Sequence, residues 1–391
     1  VKRTYKFRIY PTKNQERSLI RWINICRIFY NDCLTERRDA WKTCHKSITY
    51  YDQAKQLPDI KMFDDDLRYV HSQVIQDVLK RVDKAYQNFY RRVRNGDRKP
   101  GFPRYKGKDR YDSFTYPQNG FKIKDGGLIL SKIGGIKIKQ HREIEGDIKT
   151  CTIKRDVDLW YACFSVELPD TPKKEKIESV VGIDLGLKSI ITTSDGEKID
   201  PQKHLRKSEE KLNREQRKLS RKKRGGANRT KQKRIVGRVH RKIRNQRADF
   251  NHKLSRKIVD NFDLIAFEDL RIKNMLKNHH LAKSIADAGW YQLQGFTTHK
   301  AEGAGKYTIL VDPKGTSIEC NVCGYRVEKT LATRVHECPE CGLIEDRDIN
   351  AARNILKRGY DCLPQELREV TPVEMFVGTS VKQEAPCNSW E

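Results

Sequence analysis

Residues 320–354 read CNVCGYRVEKTLATRVHECPECGLIEDRDINAARN. Cys320-x2-Cys323 and Cys338-x2-Cys341 form two CxxC pairs separated by fourteen residues, and Gly324 and Gly342 follow the pairs and let the backbone reverse. Four thiolates so placed can surround one tetrahedral zinc at about 2.3 Å per bond. They leave no open coordination position, so the ion is expected to be structural and to replace a core that the segment lacks. Carboxylates follow at once. Asp346 and Asp348 open a helix, Asp184 ends the apolar run SVVGID, and Glu268 stands near the end of FDLIAFEDL. Singly, these acids read as a turn, a solvated strand end, a helix N-cap and a first-turn charge. Together they describe an α/β sheet that gathers carboxylates at one edge, where their repulsion calls for cations. Two Mg2+ ions about 3.5–4 Å apart would neutralise such a cluster and clamp the attacking and leaving oxygens of a phosphodiester. On this reading Asp346 and Asp348 are equivalent.

The elements that must position these residues are legible from periodicity. RTYKFRIYPT alternates and stops at Pro11, as a strand does. The stretch after it, to Cys44, repeats apolar residues at helical spacing and predicts one long helix; DLRYVHSQVIQDVLKRVDKAYQNFYRRVR predicts a second helical region. NGDRKPGFPRYKGKDRYDSFTYPQ reads as a loop whose aromatics either stack on unpaired bases or tuck beneath the protein. Short alternating strands are expected from Phe121 to Leu168, then a linker, PDTPKKEKIES. In the second half SVVGIDLG, SIITTSDGEKID, FDLIAFEDL and KYTILVDP read as strands, with a turn at Asp195-Gly196; SIADAGWYQLQGFTTHKAEGAG reads as one helix closed by glycine, and DRDINAARNILKRG as the last helix.

Charge points to the partner. The 391 residues carry 80 Lys and Arg against 52 Asp and Glu, a net charge of +28. Nucleic acid is the usual answer to such a charge, since phosphate neutralisation supplies most of the binding free energy. Twenty of the basic residues fall in the 45 positions from Lys203 to Arg247, beside only three acids, Glu209, Glu210 and Glu215. Leu205, Leu212 and Leu219 lie seven apart, Gly225 and Gly226 interrupt, and Val236, Val239 and Ile243 resume the stripe. The pattern predicts a helical hairpin with basic outer faces, including Arg221, Lys222, Lys223, Arg224, Arg241, Lys242 and Arg244 as nucleic-acid contacts. The remaining seven cysteines show no paired spacing, which suits a reducing compartment. No apolar run approaches the roughly 18 residues that span a bilayer.

The chain resembles the transposon-encoded TnpB (OrfB) family, relatives of the type V CRISPR effector nucleases. The resemblance rests on GIDLGLKSIITTSDG, LIAFEDLRIKNM, SIADAGW, VDPKGTS before the CxxC pairs, and DRDINAARNIL, with YKFRIYPT, NFYRR, GFPRYK and SFTYPQ in the first half. It covers nearly the whole chain in the family's order. It implies an α/β fold: a RuvC-like, RNase H-type nuclease domain over 179–358, with a basic hairpin at 203–258 and a zinc ribbon at 316–345 inserted. Before it would come a small β-barrel-like (wedge) domain, 1–12 and 99–172, with a helical recognition domain, 13–98, inserted. The tail, 359–391, is expected to be disordered. The implied activity is Mg2+-dependent, RNA-guided cleavage of double-stranded DNA beside a short motif, in support of transposon maintenance. The alternative is a DNA-binding regulator of the same family that no longer cuts. The resemblance names Asp184, Glu268 and Asp348 as the catalytic Mg2+ ligands, expected to hold a pair of ions, and leaves Asp346 as a helix cap or a supporting residue behind them. It places Tyr50, Gln76 and Thr115 at the adjacent motif. The implied partners are a guide RNA from the transposon end, the target DNA and, functionally, a separate tyrosine transposase. A monomer in the RNA complex is expected, in a prokaryotic cytoplasm and on the nucleoid when DNA-bound.

Overall fold

The computed structural model describes residues 1–330 and 333–370. The chain divides into two units, the first Val1–Pro169 and the second beginning at Asp170.

The first unit opens with β1 (Lys2–Tyr10), whose Tyr5, Phe7 and Ile9 point into the core. Four helices follow: α1 (Lys13–Cys44), α2 (Tyr50–Phe63), α3 (Asp65–Tyr69) and α4 (Ser72–Arg94). The long α1 starts at a capping box between Thr12 and Gln15. Another capping box, Thr49 with Asp52, starts α2. Periodicity does not announce that helix, and Pro58 inside it argues against one. The second helical region is broken where sequence suggests continuity: Val70 is extended and fully buried, and separates α3 from α4.

The rest of the unit is strand: β2 (Ser113–Tyr116), β3 (Phe121–Lys124), β4 (Gly127–Leu130), β5 (Gly134–Lys139), β6 (Asp147–Asp156) and β7 (Leu159–Glu167). With β1 they form one antiparallel sheet, ordered β2-β6-β7-β1-β5-β4-β3. Among the described residues no ladder joins the outer strands β2 and β3. SFTY is therefore a strand rather than loop. Its Phe114 and Tyr116 are fully buried, with the Trp22 ring centroid 5.3 Å from that of Phe114.

In the second unit come β8 (Val180–Asp184), β9 (Ile191–Thr193), β10 (Lys198–Ile199), α5 (His204–Ser220), α6 (Ala227–Asn261) and β11 (Leu264–Glu268). Then follow α7 (Ile272–Met275), α8 (His279–Ala288), α9 (Trp290–Gly303), β12 (Tyr307–Val311), β13 (Val335–Glu337), β14 (Ile344–Asp346), α10 (Arg347–Asp361) and α11 (Gln365–Val370). The central sheet runs β10-β9-β8-β11-β12; β8, β11 and β12 are parallel, and β9 is antiparallel to β8. The central strands β8 and β11 are almost wholly apolar because both of their faces are covered. Val181, Ile183, Ile265 and Phe267 face Leu254, Ile258 and Leu293 of α6 and α9. Val180, Leu264 and Ala266 face the other way, toward Ile355 and Leu356 of α10.

Two expectations change here. The helix expected from Ser284 to Gly305 is two helices, because Gly289 takes a left-handed φ of +67° that ends α8. The tail expected to be disordered from 359 is ordered at its start. There α10 continues to Asp361 and α11 follows, with Leu363 and Leu367 buried against Ile177 and Leu356. Residues 371–391 lie outside the described residues.

Candidate functional site

Strand β8 ends at Asp184 and β11 at Glu268, and the register Ile183↔Phe267 sets the two acids side by side at the C-terminal edge of the parallel strands. Adjacent strands lie about 4.8 Å apart. Burial pushes the Asp184 carboxyl up to about 8, and the negative charges of Glu268 and Asp348 push it the same way. Glu268 is buried and its pKa is also raised by burial, an effect opposed by the Thr316 hydroxyl and the Arg358 charge. Asp348 is the second residue of α10; Arg347 donates to its Oδ1 through Nε and Nη2, each at 3.1 Å. Asp346 does different work. It caps α10, accepting from the amides of Asp348 at 2.9 Å and Ile349 at 3.3 Å, and pairs with Lys198 at 2.6 Å. Burial works against its charge, yet Lys198 and the helix amides hold its carboxyl below the usual range.

Helix α10 packs against β8 at close range. A Cβ on Gly182 would lie 2.0 Å from the Ala352 carbonyl oxygen, so only glycine lets strand and helix approach this closely.

The four cysteines converge. Their sulfurs all lie within 4.8 Å of one another, and Cys320–Cys341 and Cys323–Cys338 are 3.6 and 3.5 Å apart. A tetrahedral zinc with bonds of about 2.3 Å requires sulfurs about 3.8 Å apart, so the donor set fits that ion. The two knuckles are copies. Gly324 N donates to Cys320 O and Gly342 N to Cys338 O, each at 2.9 Å, with both glycines left-handed. Among the described residues this is the one group of three or more ligand residues drawn within 4.8 Å. The three carboxylates form a more open set.

Helices α5 and α6 pack as a hairpin along Leu212, Val236, Val239 and Ile243, with Leu205 and Leu219 beside them. Arg229 Nη1 donates to the carbonyls of Leu219 and Lys222 at 2.6 and 2.8 Å and so ties the turn. In that turn Arg221, Lys223 and Arg224 are exposed and Lys222 half-buried; on α6, Lys242 and Arg244 are exposed and Arg241 half-buried. In the first unit, Tyr50 is the half-buried first residue of α2 and Gln76 lies on the exposed face of α4. The Thr115 hydroxyl is engaged within the fold, by Arg81 at 2.8 Å and Thr152 at 2.8 Å.

Sequence reasoning misses Thr316, which donates to Glu268, and Asn350, Asn354 and Arg358, which fasten α10 to the segment from Lys314 to Asn321. The signal is faint: a polar stripe at i, i+4 and i+8 on a helix otherwise buried through Ala351, Ala352, Ile355 and Leu356.

Three family models match the chain: "Probable transposase" (OrfB_IS605) at residues 163–279, "Cas12f1-like, TNB domain" at 290–355 and "Helix-turn-helix domain" at 1–46. A Streptomyces pristinaespiralis protein named "Putative RNA-guided DNA endonuclease" is 35% identical over 92% of this chain and 90% of its own. The chain belongs to the TnpB (OrfB) family. An Escherichia coli relative, "Putative RNA-guided DNA endonuclease InsQ", is 31% identical over 92% of each chain. The solved mini-RNA-guided endonuclease CRISPR-Cas_phi3 shares the fold at a TM-score of 0.50 and 10% identity, covering 92% of each chain. In this TnpB protein the residues matched as helix-turn-helix are a strand and one unbroken 32-residue helix.

Proposed function

We propose that this TnpB protein is an RNA-guided DNA endonuclease of a transposable element, cutting double-stranded DNA beside a short motif. The observation that carries the reading is the register of β8 and β11, which places Asp184 beside Glu268 at the sheet edge, where burial and the charges of Glu268 and Asp348 push the Asp184 carboxyl up. Such a cluster is disfavoured as three anions and favoured with a hard cation among them. Asp184, Glu268 and Asp348 are the residues that would hold Mg2+. Bound there, a pair of ions would neutralise the scissile phosphate and lower the pKa of an attacking water.

The chain's own groups prepare the site. Arg347 screens Asp348, Thr316 holds Glu268, and Asp346 with Lys198 fixes the start of the helix that carries Asp348. A mixed sheet with three parallel strands, an antiparallel neighbour to β8 and acids at the strand ends supports a RuvC-like, RNase H-type domain over 179–358. The cysteine cluster is a structural zinc ribbon in this reading, since four thiolates fill the shell. The hairpin, through Arg221 to Arg224 and Arg241, Lys242 and Arg244, would meet the phosphates of guide RNA or heteroduplex. The first unit, as wedge sheet and recognition helices, would read the adjacent motif near Tyr50, Gln76 and Thr115.

The test begins with sequencing the RNA that co-purifies with the protein, which defines the target. A plasmid bearing that target and a randomised flank should be cut with Mg2+ by the wild-type complex and left intact by Asp184→Asn. A complex that binds the matched plasmid and leaves it uncut sinks the nuclease reading and favours a silent regulator.

A further inference from the structure

The turn between β12 and the first cysteine pair reaches Glu268 from the side. Thr316 is 1% exposed; its Oγ1 lies 2.5 Å from Glu268 Oε1 and 3.2 Å from the Pro313 carbonyl oxygen. A hydroxyl has one proton, and the shorter, charge-assisted bond to the carboxylate takes it. Thr316 is held in turn by α10. Asn354 Nδ2 donates to Thr316 O at 3.0 Å and to Glu319 O at 2.7 Å, which commits both of its hydrogens. One turn earlier, Asn350 Nδ2 donates to Glu319 O at 2.8 Å, and its Oδ1 accepts from Asn321 N at 3.0 Å. Asn321 directly follows Cys320. One unbroken set of hydrogen bonds thus runs from the first cysteine knuckle, through two side chains of α10, to the Glu268 carboxylate.

We propose that Thr316 is a positioning residue for Glu268, locked in place by Asn354, so that the junction of α10 with the cysteine knuckle sets the orientation of that carboxylate. The inference rests on the reading of Glu268 as a Mg2+ ligand. A carboxylate at the end of a strand can rotate about three torsions, and a cation that binds it must first stop that motion. Thr316 removes the freedom in advance, as partners behind metal ligands commonly do.

The test compares Thr316→Val, Thr316→Ser and Glu268→Ala in the full chain with its RNA. Thr316→Val should raise the Mg2+ concentration for half-maximal cleavage about ten-fold and leave the rate at saturating Mg2+ within a few-fold of wild type. Thr316→Ser, which keeps the hydroxyl, should restore the wild-type curve. A second readout avoids activity: Mn2+ binding to the RNA-free full chain, followed by the EPR signal of free Mn2+, should weaken by a similar factor while zinc content stays unchanged. If Thr316→Val lowers the melting temperature so far that it cannot be assayed, Thr316→Ala gives the same two readings without a branched methyl group. Wild-type Mg2+ and Mn2+ curves in the hydroxyl-free variant, with Glu268→Ala inactive, overturn the inference. Wild-type cleavage by Glu268→Ala overturns instead the assignment of Glu268 on which it rests.

Discussion

Asp184 is the residue on which the second unit's electrostatics converge. Its carboxyl titrates near 3.8 in an unfolded chain and is pushed up to about 8 in the fold. Between those values the native state binds a proton that the unfolded state has lost, so stability falls as pH rises from about 4 to about 8. Asp184→Asn removes that dependence. In metal-free protein the variant should melt higher than wild type at pH 8, by more than about 1 kcal/mol of stability, with the gain fading toward pH 4. Differential scanning fluorimetry across this range checks it; a gain that is flat with pH refutes it. At this scale Asp184 and Glu268 are legible because each ends an apolar run. Asp346 and Asp348 are not separable by type or spacing. The resemblance favours Asp348, and in the structure their settings differ, with Asp346 turned back to the amides and Asp348 paired with Arg347. Thr316 is invisible in sequence because its partner lies 48 residues away and three helices and a strand intervene.

Among elements, α10 positions more than any other. It carries Asp348, touches β8 two residues before Asp184, and fixes the turn that reaches Glu268. Gly182→Ala would drive a methyl into the Ala352 carbonyl and force helix and strand apart. Overpacking of this kind costs about 1–3 kcal/mol, and here all three acids should be displaced together. Urea unfolding should show that loss, and cleavage should fall well beyond what the fraction unfolded explains; activity in proportion to folded protein would refute the shared displacement. Periodicity reads α1, β8, β11 and the hairpin well, since each buries a clean face or both faces. It misses breaks. Val70 interrupts a helical pattern without interrupting its hydrophobicity, and Gly289 sits inside one whose flanks are both helix-forming. It also misses α11, where two leucines in a polar tail suffice once Ile177 and Leu356 provide a surface.

For the whole molecule, a net charge of +28 has to be met from outside, and the hairpin turn presents part of it through the exposed Arg221, Lys223 and Arg224. Replacing Arg221, Lys222, Lys223 and Arg224 with glutamine should weaken RNA binding. If all four meet phosphates of single strand, the slope of log K against log salt should flatten by about 3, at roughly 0.7 per contact. Filter binding between 50 and 300 mM salt is the measurement, and an unchanged slope would assign those residues to solvent. Composition points to the partner, but not to the division into two units, which depends on contacts between distant segments such as β1 with β7.

The helix α6 belongs to both parts of its unit. Its first half is held by α5 along Val236, Val239 and Ile243, and its second half lies under the central sheet at Leu254, Ile258 and Val259. A single rod should therefore carry a gradient of stability: amides past Leu254 are expected to exchange only when the sheet opens, and those near the turn whenever α5 lifts. If the hairpin meets nucleic acid, its tip should loosen and re-form around that polyanion while the base keeps its register, so pliancy and rigidity would need no hinge between them.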